Sequence, residues 1–178
     1  MNTPHPPQPA QIPAVRKWSD FRQTPGLFVA RRKLLTPNAR VFTMGSCFAA
    51  ELRKSLQRSG LTVYPDYLSV QFDRESEVFN HLPERDSIEH YDTFVIKQEF
   101  EVALGEWIDR DAGIWPVSGC RVNAELGSPV AFQEPSRKMI YGRSHEGVAR
   151  LSKRIDHAIR AGIEQADVLV LTLGLTEV

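Results

Sequence analysis

A chain of 178 residues, 42% hydrophobic and 25% charged, is long enough for one domain with a real core and has the balance of an ordinary globular protein. Its 22 Lys and Arg match its 22 Asp and Glu, and two cysteines cannot build a disulfide framework, which excludes a polycationic nucleic-acid coat and a disulfide-stapled miniprotein. No run approaches ~18 consecutive apolar residues, and the start, Met1-Asn2-Thr3-Pro4-His5-Pro6-Pro7, has neither the basic nor the apolar region of a signal peptide, so the expectation is a cytoplasmic protein without a membrane span.

Five prolines within residues 1–13 remove backbone donors and block helix, predicting a flexible, partly polyproline arm over residues 1–25 and a folded portion over 26–178. Residues 1–40 also carry seven Lys and Arg against Asp20 alone, but these cations are spread out and are not interleaved with stacking aromatics. A solvated face or an intramolecular electrostatic contact suits them better than a nucleic-acid partner. The chain then reads as a strand over Arg40–Met44 and a helix over Phe48–Ser59, with Phe48, Leu52 and Leu56 at intervals of four. Gly60 ends the helix and Leu61–Tyr64 resumes as a strand. Joints this brief are best satisfied by a βαβ unit with parallel strands.

The middle offers weaker signals. Asp73–His81 reads as a short helix. Phe100, Ala103, Leu104 and Trp107 have helical spacing, while Trp107 to Trp115 can also be drawn as a hairpin; the two readings compete for Trp107. Residues 116–144, rich in Gly, Pro, Ser and charge, read as long loops. Val148, Leu151, Ile155, Ile159 and Ile163 then form the stripe of a long amphipathic helix, and Val168–Leu173 is apolar enough for a strand covered on both faces. The sequence stops a few residues later, from which we expect the N-terminal portion of a longer α/β domain.

The residues with chemical potential cluster at the first strand-to-helix junction, Gly45-Ser46-Cys47. A serine lifted above a sheet edge at a helix N-terminus suits a nucleophile, with the amides of Ser46 and Cys47 as oxyanion donors; it equally suits an ordinary N-cap. Cys47 is the rival nucleophile, since a helix N-terminus lowers a thiol pKa, or else a small buried residue of the helix–sheet interface. No C-x-x-C pair proposes a metal, and none is expected.

Gly45-Ser46-Cys47-Phe48-Ala49 spells the signature of the GSCFA family, and Tyr91–Phe94, Gln98–Glu101 and Thr172–Val178 also resemble segments of that family over roughly residues 40–178. GSCFA proteins are similar to the SGNH (GDSL-like) hydrolases. The resemblance therefore implies a three-layer α/β/α fold around a parallel sheet, present here in part, and a cofactor-free esterase or acyltransferase acting on acyl esters of a carbohydrate or small molecule. It places Ser46 as the catalytic residue, with Gly45, Cys47, Gly174, Thr176 and Glu177 as oxyanion-hole or alternative site residues. Positional alignment with the Gly-Asp-Ser block favours Cys47, whereas the motif favours Ser46. Thr176 and Glu177 stand where the SGNH pattern has Asn and Asp, and Gly105, Gly119 and Gly127 compete for the remaining glycine amide. None of His5, His81, His90, His145 and His157 follows an aspartate by three residues, so the base is expected beyond Val178, with His145 the one histidine worth considering as a site residue. The alternative function is a non-catalytic carbohydrate-binding or scaffolding module on the same fold.

Overall fold

The computed structural model describes residues 35–78, 88, 90, 92–106, 111–119, 121–137 and 140–173, all within one compact unit running from Leu35 to Val178. The Pro-rich arm expected over residues 1–25 lies outside the described residues, as do His5, His81, Trp107, Cys120 and Gly174 to Val178.

The βαβ reading of the first third matches the structure. Strand β1 (Arg40–Gly45), helix α1 (Cys47–Arg58) and strand β2 (Thr62–Tyr64) follow in order, with β1 and β2 parallel and Val41 opposite Val63. Strand β7 (Val168–Thr172) lies parallel on the other side of β1, giving the order β2-β1-β7. The central strand is covered on both faces, as its run of apolar residues requires. On one face Arg53 of α1 reaches back to Thr43, donating from Nε to Oγ1 and from Nη2 to the carbonyl, each at 3.0 Å. On the other lies the long helix α4 (His145–Gln165), whose Val148, Leu151, Ile155 and Ile159 are fully buried in one cluster with Phe42 and Met44. A Cβ on Gly162 would stand 2.8 Å from Tyr64 Cβ and 3.2 Å from the Phe42 ring, so glycine there lets α4 lie close on the strands.

Helix α2 (Thr93–Leu104) adds Phe100 to the same core at 5.9 Å from the Phe42 ring; Asp92 caps it by accepting from the Val95 amide at 2.8 Å. The remainder builds a second sheet. Strands β3 (Glu77–Val78), β4 (Trp115–Val117), β5 (Ala131–Gln133) and β6 (Tyr141–Gly142) are antiparallel in the order β3-β6-β5-β4, with helix α3 (Arg121–Leu126) between β4 and β5. Pro116 sits in the edge strand β4, where a residue lacking an N–H costs no ladder bond.

These elements correct several expectations. An SGNH-like three-layer fold on one extended parallel sheet is not formed: a three-stranded parallel sheet and a four-stranded antiparallel sheet share the chain. The segment read as loops over residues 116–144 supplies most of the second sheet, in strands of two or three residues too short to show alternation. Glu77–Val78 is strand, not part of a helix. Strand β7 is not covered on both faces either. Leu169 and Leu171, in register with Phe42 and Met44 and therefore on the α4 side, are 50% and 47% exposed, because α4 packs over β1 and β2.

Candidate functional site

The strand order sets two carboxyl ends side by side. From β1 the chain crosses to β2 on one side and returns much later to β7 on the other, so the carboxyl ends of β1 and β7 are neighbours. In open α/β sheets ligands bind outside the carboxyl ends of the strands. Gly45 and Ser46 stand at the end of β1 there, and Thr172 at the end of β7.

Their contact is close. Gly45 has φ of 140°, and a Cβ on it would fall 1.9 Å from the Thr172 carbonyl oxygen and 2.5 Å from Thr172 Oγ1, so only glycine allows this approach. The Ser46 amide donates to the Thr172 carbonyl at 3.2 Å, and the two hydroxyls, Ser46 Oγ and Thr172 Oγ1, are 3.3 Å apart. Ser46 holds the N-cap position of α1 with extended backbone, yet its side chain makes no capping hydrogen bond. The Ala49 amide is taken by the Ser46 carbonyl at 2.8 Å, but those of Cys47 and Phe48 begin the helix and have no partner within it. No acidic residue lies in this first turn, and Cys47 and Phe48 are both exposed. The Cys47 thiol is unpaired and faces solvent, which corrects the reading of Cys47 as an interface residue.

Behind the elbow stands a buried ionic cluster. The His90 amide donates to the Gly45 carbonyl at 2.7 Å, and its imidazole, 1% exposed, places Nε2 3.0 Å from Glu99 Oε1. Among the described residues its Nδ1 has no partner. Glu99 takes a two-pronged bond from Arg137, Nε at 2.8 Å and Nη2 at 2.7 Å. Arg137 also donates to the Ser152 carbonyl at 3.1 Å and to Asp156, and its amide bonds Glu134. Burial alone would lower the guanidinium pKa; the charges of Glu99, Asp156 and Glu134 outweigh it and hold Arg137 well above its ordinary value.

This geometry corrects the catalytic reading. Ser46 Oγ is paired with a threonine hydroxyl, not with a histidine or carboxylate, so nothing described raises its nucleophilicity. The Ser46 amide, one of the two expected oxyanion donors, is already spent on Thr172. No Ser/His/Asp cluster and no group of metal-ligating side chains occurs among the described residues, and the fold is not that of an SGNH enzyme, so neither esterase nor acyltransferase activity is supported. The carbohydrate-binding or scaffolding alternative fails with the fold it presumed; Phe48, Phe94 and Trp115 are exposed on three different elements rather than gathered into a stacking platform.

Of the expected site residues, Gly45, Ser46 and Cys47 sit together at the elbow. Gly174, Thr176 and Glu177 lie outside the described residues. His145 opens α4 and packs edge-on against Phe132 of the antiparallel sheet, with ring centres 6.3 Å apart. Gly105 ends α2 in the left-handed conformation. Sequence reasoning missed Thr172 as the partner of Ser46, and His90 as the group behind Gly45. The signal for Thr172 was available, since a polar residue at the end of an apolar parallel strand lies at the ligand-binding edge; nothing local marked His90.

The fold and the elbow thus define an α/β protein whose distinctive feature is a glycine–serine turn at the carboxyl end of a central parallel strand. Residues 40–178 match the GSCFA family, and the chain belongs to it. That membership does not carry an activity with it, least of all that of the SGNH hydrolases. The chain matches no curated protein and no solved structure. No helix among the described residues is long and apolar enough to cross a membrane.

Proposed function

We propose that the elbow is a binding site for a small anionic molecule, such as a carboxylate or a phosphate monoester, and that the protein acts through that binding. The observation that carries this reading is the disposition of Ser46. Its side chain turns from the helix it should cap toward Thr172, leaving the Cys47 and Phe48 amides at the positive end of α1 with no acid in the first turn. The two hydroxyls supply further hydrogen bonds at the carboxyl ends of β1 and β7, and Gly45 lets the β7 backbone close in beside them.

Titration of isotopically labelled protein with acetate and with phenyl phosphate tests this. Saturable amide shifts are expected at Gly45 to Ala49, weakened by Ser46→Ala and abolished by Cys47→Asp, whose carboxylate would occupy the helix N-terminus itself. Shifts scattered over the basic surface, or unchanged by Cys47→Asp, would sink the reading. We also place the protein in the cytoplasm. The exposed, unpaired thiol of Cys47 fits a reducing compartment, and recovery of the native protein from an oxidising compartment would count against this location.

A further inference from the structure

A second concave surface lies at the opposite edge of the parallel sheet, beyond β2. It is a groove of about 640 Å³ between α4 and the segment that follows β2, within the size range of small-molecule sites. Its wall is largely apolar, built from the Tyr64 ring, Val70, and Ala158 and Ala161 one turn apart on α4. The two alanines keep it open, since any longer side chain at those positions would fill it. One end is pinned: the Tyr64 hydroxyl donates to Gln165 Oε1 at 2.8 Å, and Gly162 holds the helix against Tyr64. The groove is therefore preformed, which lowers the ordering cost of binding.

Its charge is asymmetric. The cations Lys153 and Arg154, with the His157 imidazole one turn further on, line it from α4, against the single acid Asp66 among the lining residues. Asp66 is engaged in its own turn, accepting from the Ser69 amide at 3.3 Å. Arg154 is half-exposed and donates from Nη2 to Glu77 Oε2 at 2.6 Å, but its Nε is buried with no partner among the described residues. A donor in that state costs stability unless something accepts from it.

We propose that this groove is a second binding site, separate from the elbow, for a small organic anion with a flat apolar body. The ring lies between Tyr64 and the Ala158–Ala161 ledge, and the anionic group lies toward Lys153, Arg154 and His157. The recognising chemistry is an apolar slot with cations at its rim, so both parts of the ligand are needed.

The test uses 1-naphthoate as probe and 1-naphthalenemethanol as its uncharged counterpart, followed by amide shifts of the full chain. Saturable shifts are expected at Tyr64 to Gln71 and along residues 153–165, with the alcohol binding at least about threefold more weakly, the scale of an exposed charge contact. Ala161→Trp should abolish the shifts by filling the slot. The pair Lys153→Glu and His157→Glu, on an exposed helix face, should weaken naphthoate by a similar factor without touching the core, and carries the test if the tryptophan variant fails to fold. Equal binding of the alcohol, unchanged affinity in the charge-reversed pair, or shifts confined to Gly45–Ala49 or to Leu169–Leu173 would overturn the proposal.

Discussion

The β1–β7 seam and the ionic cluster around Arg137 are joined by a backbone bond from His90 to the Gly45 carbonyl, yet they treat polar groups in opposite ways. At the carboxyl end of the seam the contacts are neutral and long, 3.3 Å between two hydroxyls and 3.2 Å between an amide and a carbonyl. The hydroxyl pair can be exchanged for bonds to a ligand at little cost. In the cluster a fully buried guanidinium is held by the Glu99 carboxylate and the Ser152 carbonyl at 2.7 to 3.1 Å and by Asp156, and neither carboxylate can leave without stranding a charge. The difference separates a place built to exchange partners from one built to keep them. The residue backing Gly45 is itself anchored in the cluster through Glu99.

The strongest way to break this contrast is Arg137→Met. Losing the guanidinium leaves the buried Glu99 and the partly buried Asp156 without their counterion and should destabilise the protein by roughly 3–5 kcal/mol, read from urea denaturation. Adding Glu99→Leu should recover part of that loss, because removing both partners of a buried pair costs less than removing one. A loss below about 1 kcal/mol for Arg137→Met would mean the cluster is wetter than its burial indicates.

Gly45→Ala tests the seam. The added methyl meets the Thr172 carbonyl oxygen at 1.9 Å in a backbone conformation that side chains avoid, so β1 and β7 must part at that end. A cost of about 3 kcal/mol is expected from strain and overpacking together. The signature distinguishing it from Arg137→Met is local: faster hydrogen exchange at the Ser46 amide, whose acceptor is that same carbonyl. Protection unchanged at Ser46 would show that the close approach is not what holds the seam.

What could be read from the sequence follows the same division. The βαβ unit and α4 were legible because their signals are local and repeated: an apolar strand, a 3.6-residue stripe, a glycine at a junction. The elbow was legible for the same reason, with Gly45-Ser46-Cys47 marking where a strand becomes a helix. The second sheet was not, because Glu77–Val78, Trp115–Val117, Ala131–Gln133 and Tyr141–Gly142 are too short to alternate and owe their conformation to one another. The cluster was invisible on the same ground: Glu99 and Arg137 are 38 residues apart, and nothing near either one announces the other. The resemblance to SGNH enzymes misled because it extended from a short motif to a whole architecture and its chemistry, whereas the motif's serine meets a threonine here.

Tyr67 belongs to both regions. It is buried, the Arg53 guanidinium that clasps Thr43 lies 5.0 Å from its ring centre, and the charges of Glu99, Arg137 and Asp156 all reach it. Burial pushes its phenol up to about 12, against the opposing pull of Arg53. A folded-state pKa above the unfolded value of about 10 means the contribution is complete below pH 10 and lost as pH rises toward 12. The loss is about 2–3 kcal/mol across that window. Tyr67→Phe should flatten this alkaline limb of the stability profile; an identical fall in the variant would assign the limb to other groups.

The smallest effect is expected at the opposite end of the seam, where Arg40 and Asp167 open β1 and β7. The Arg40 amide and side chain bond Asp167 at 2.8 to 3.2 Å, and the Asp167 amide returns to the Arg40 carbonyl at 2.8 Å. Those hydrogen bonds lower the Asp167 carboxyl to about 2. Because the folded pKa is depressed, the contribution is present above the ordinary value of 3.8 and disappears as pH falls through about 2. Both side chains are about half exposed, 48% and 47%, so water and salt screen most of the attraction. Asp167→Asn should therefore change stability only slightly at neutral pH, while making the profile flatter between pH 4 and pH 2, and ~1 M salt should erase the difference from the parent protein. A large effect at neutral pH that survives salt would show that this exposed end, rather than the tight Gly45–Thr172 end, holds the two strands together, and would reverse the account of how the seam is built.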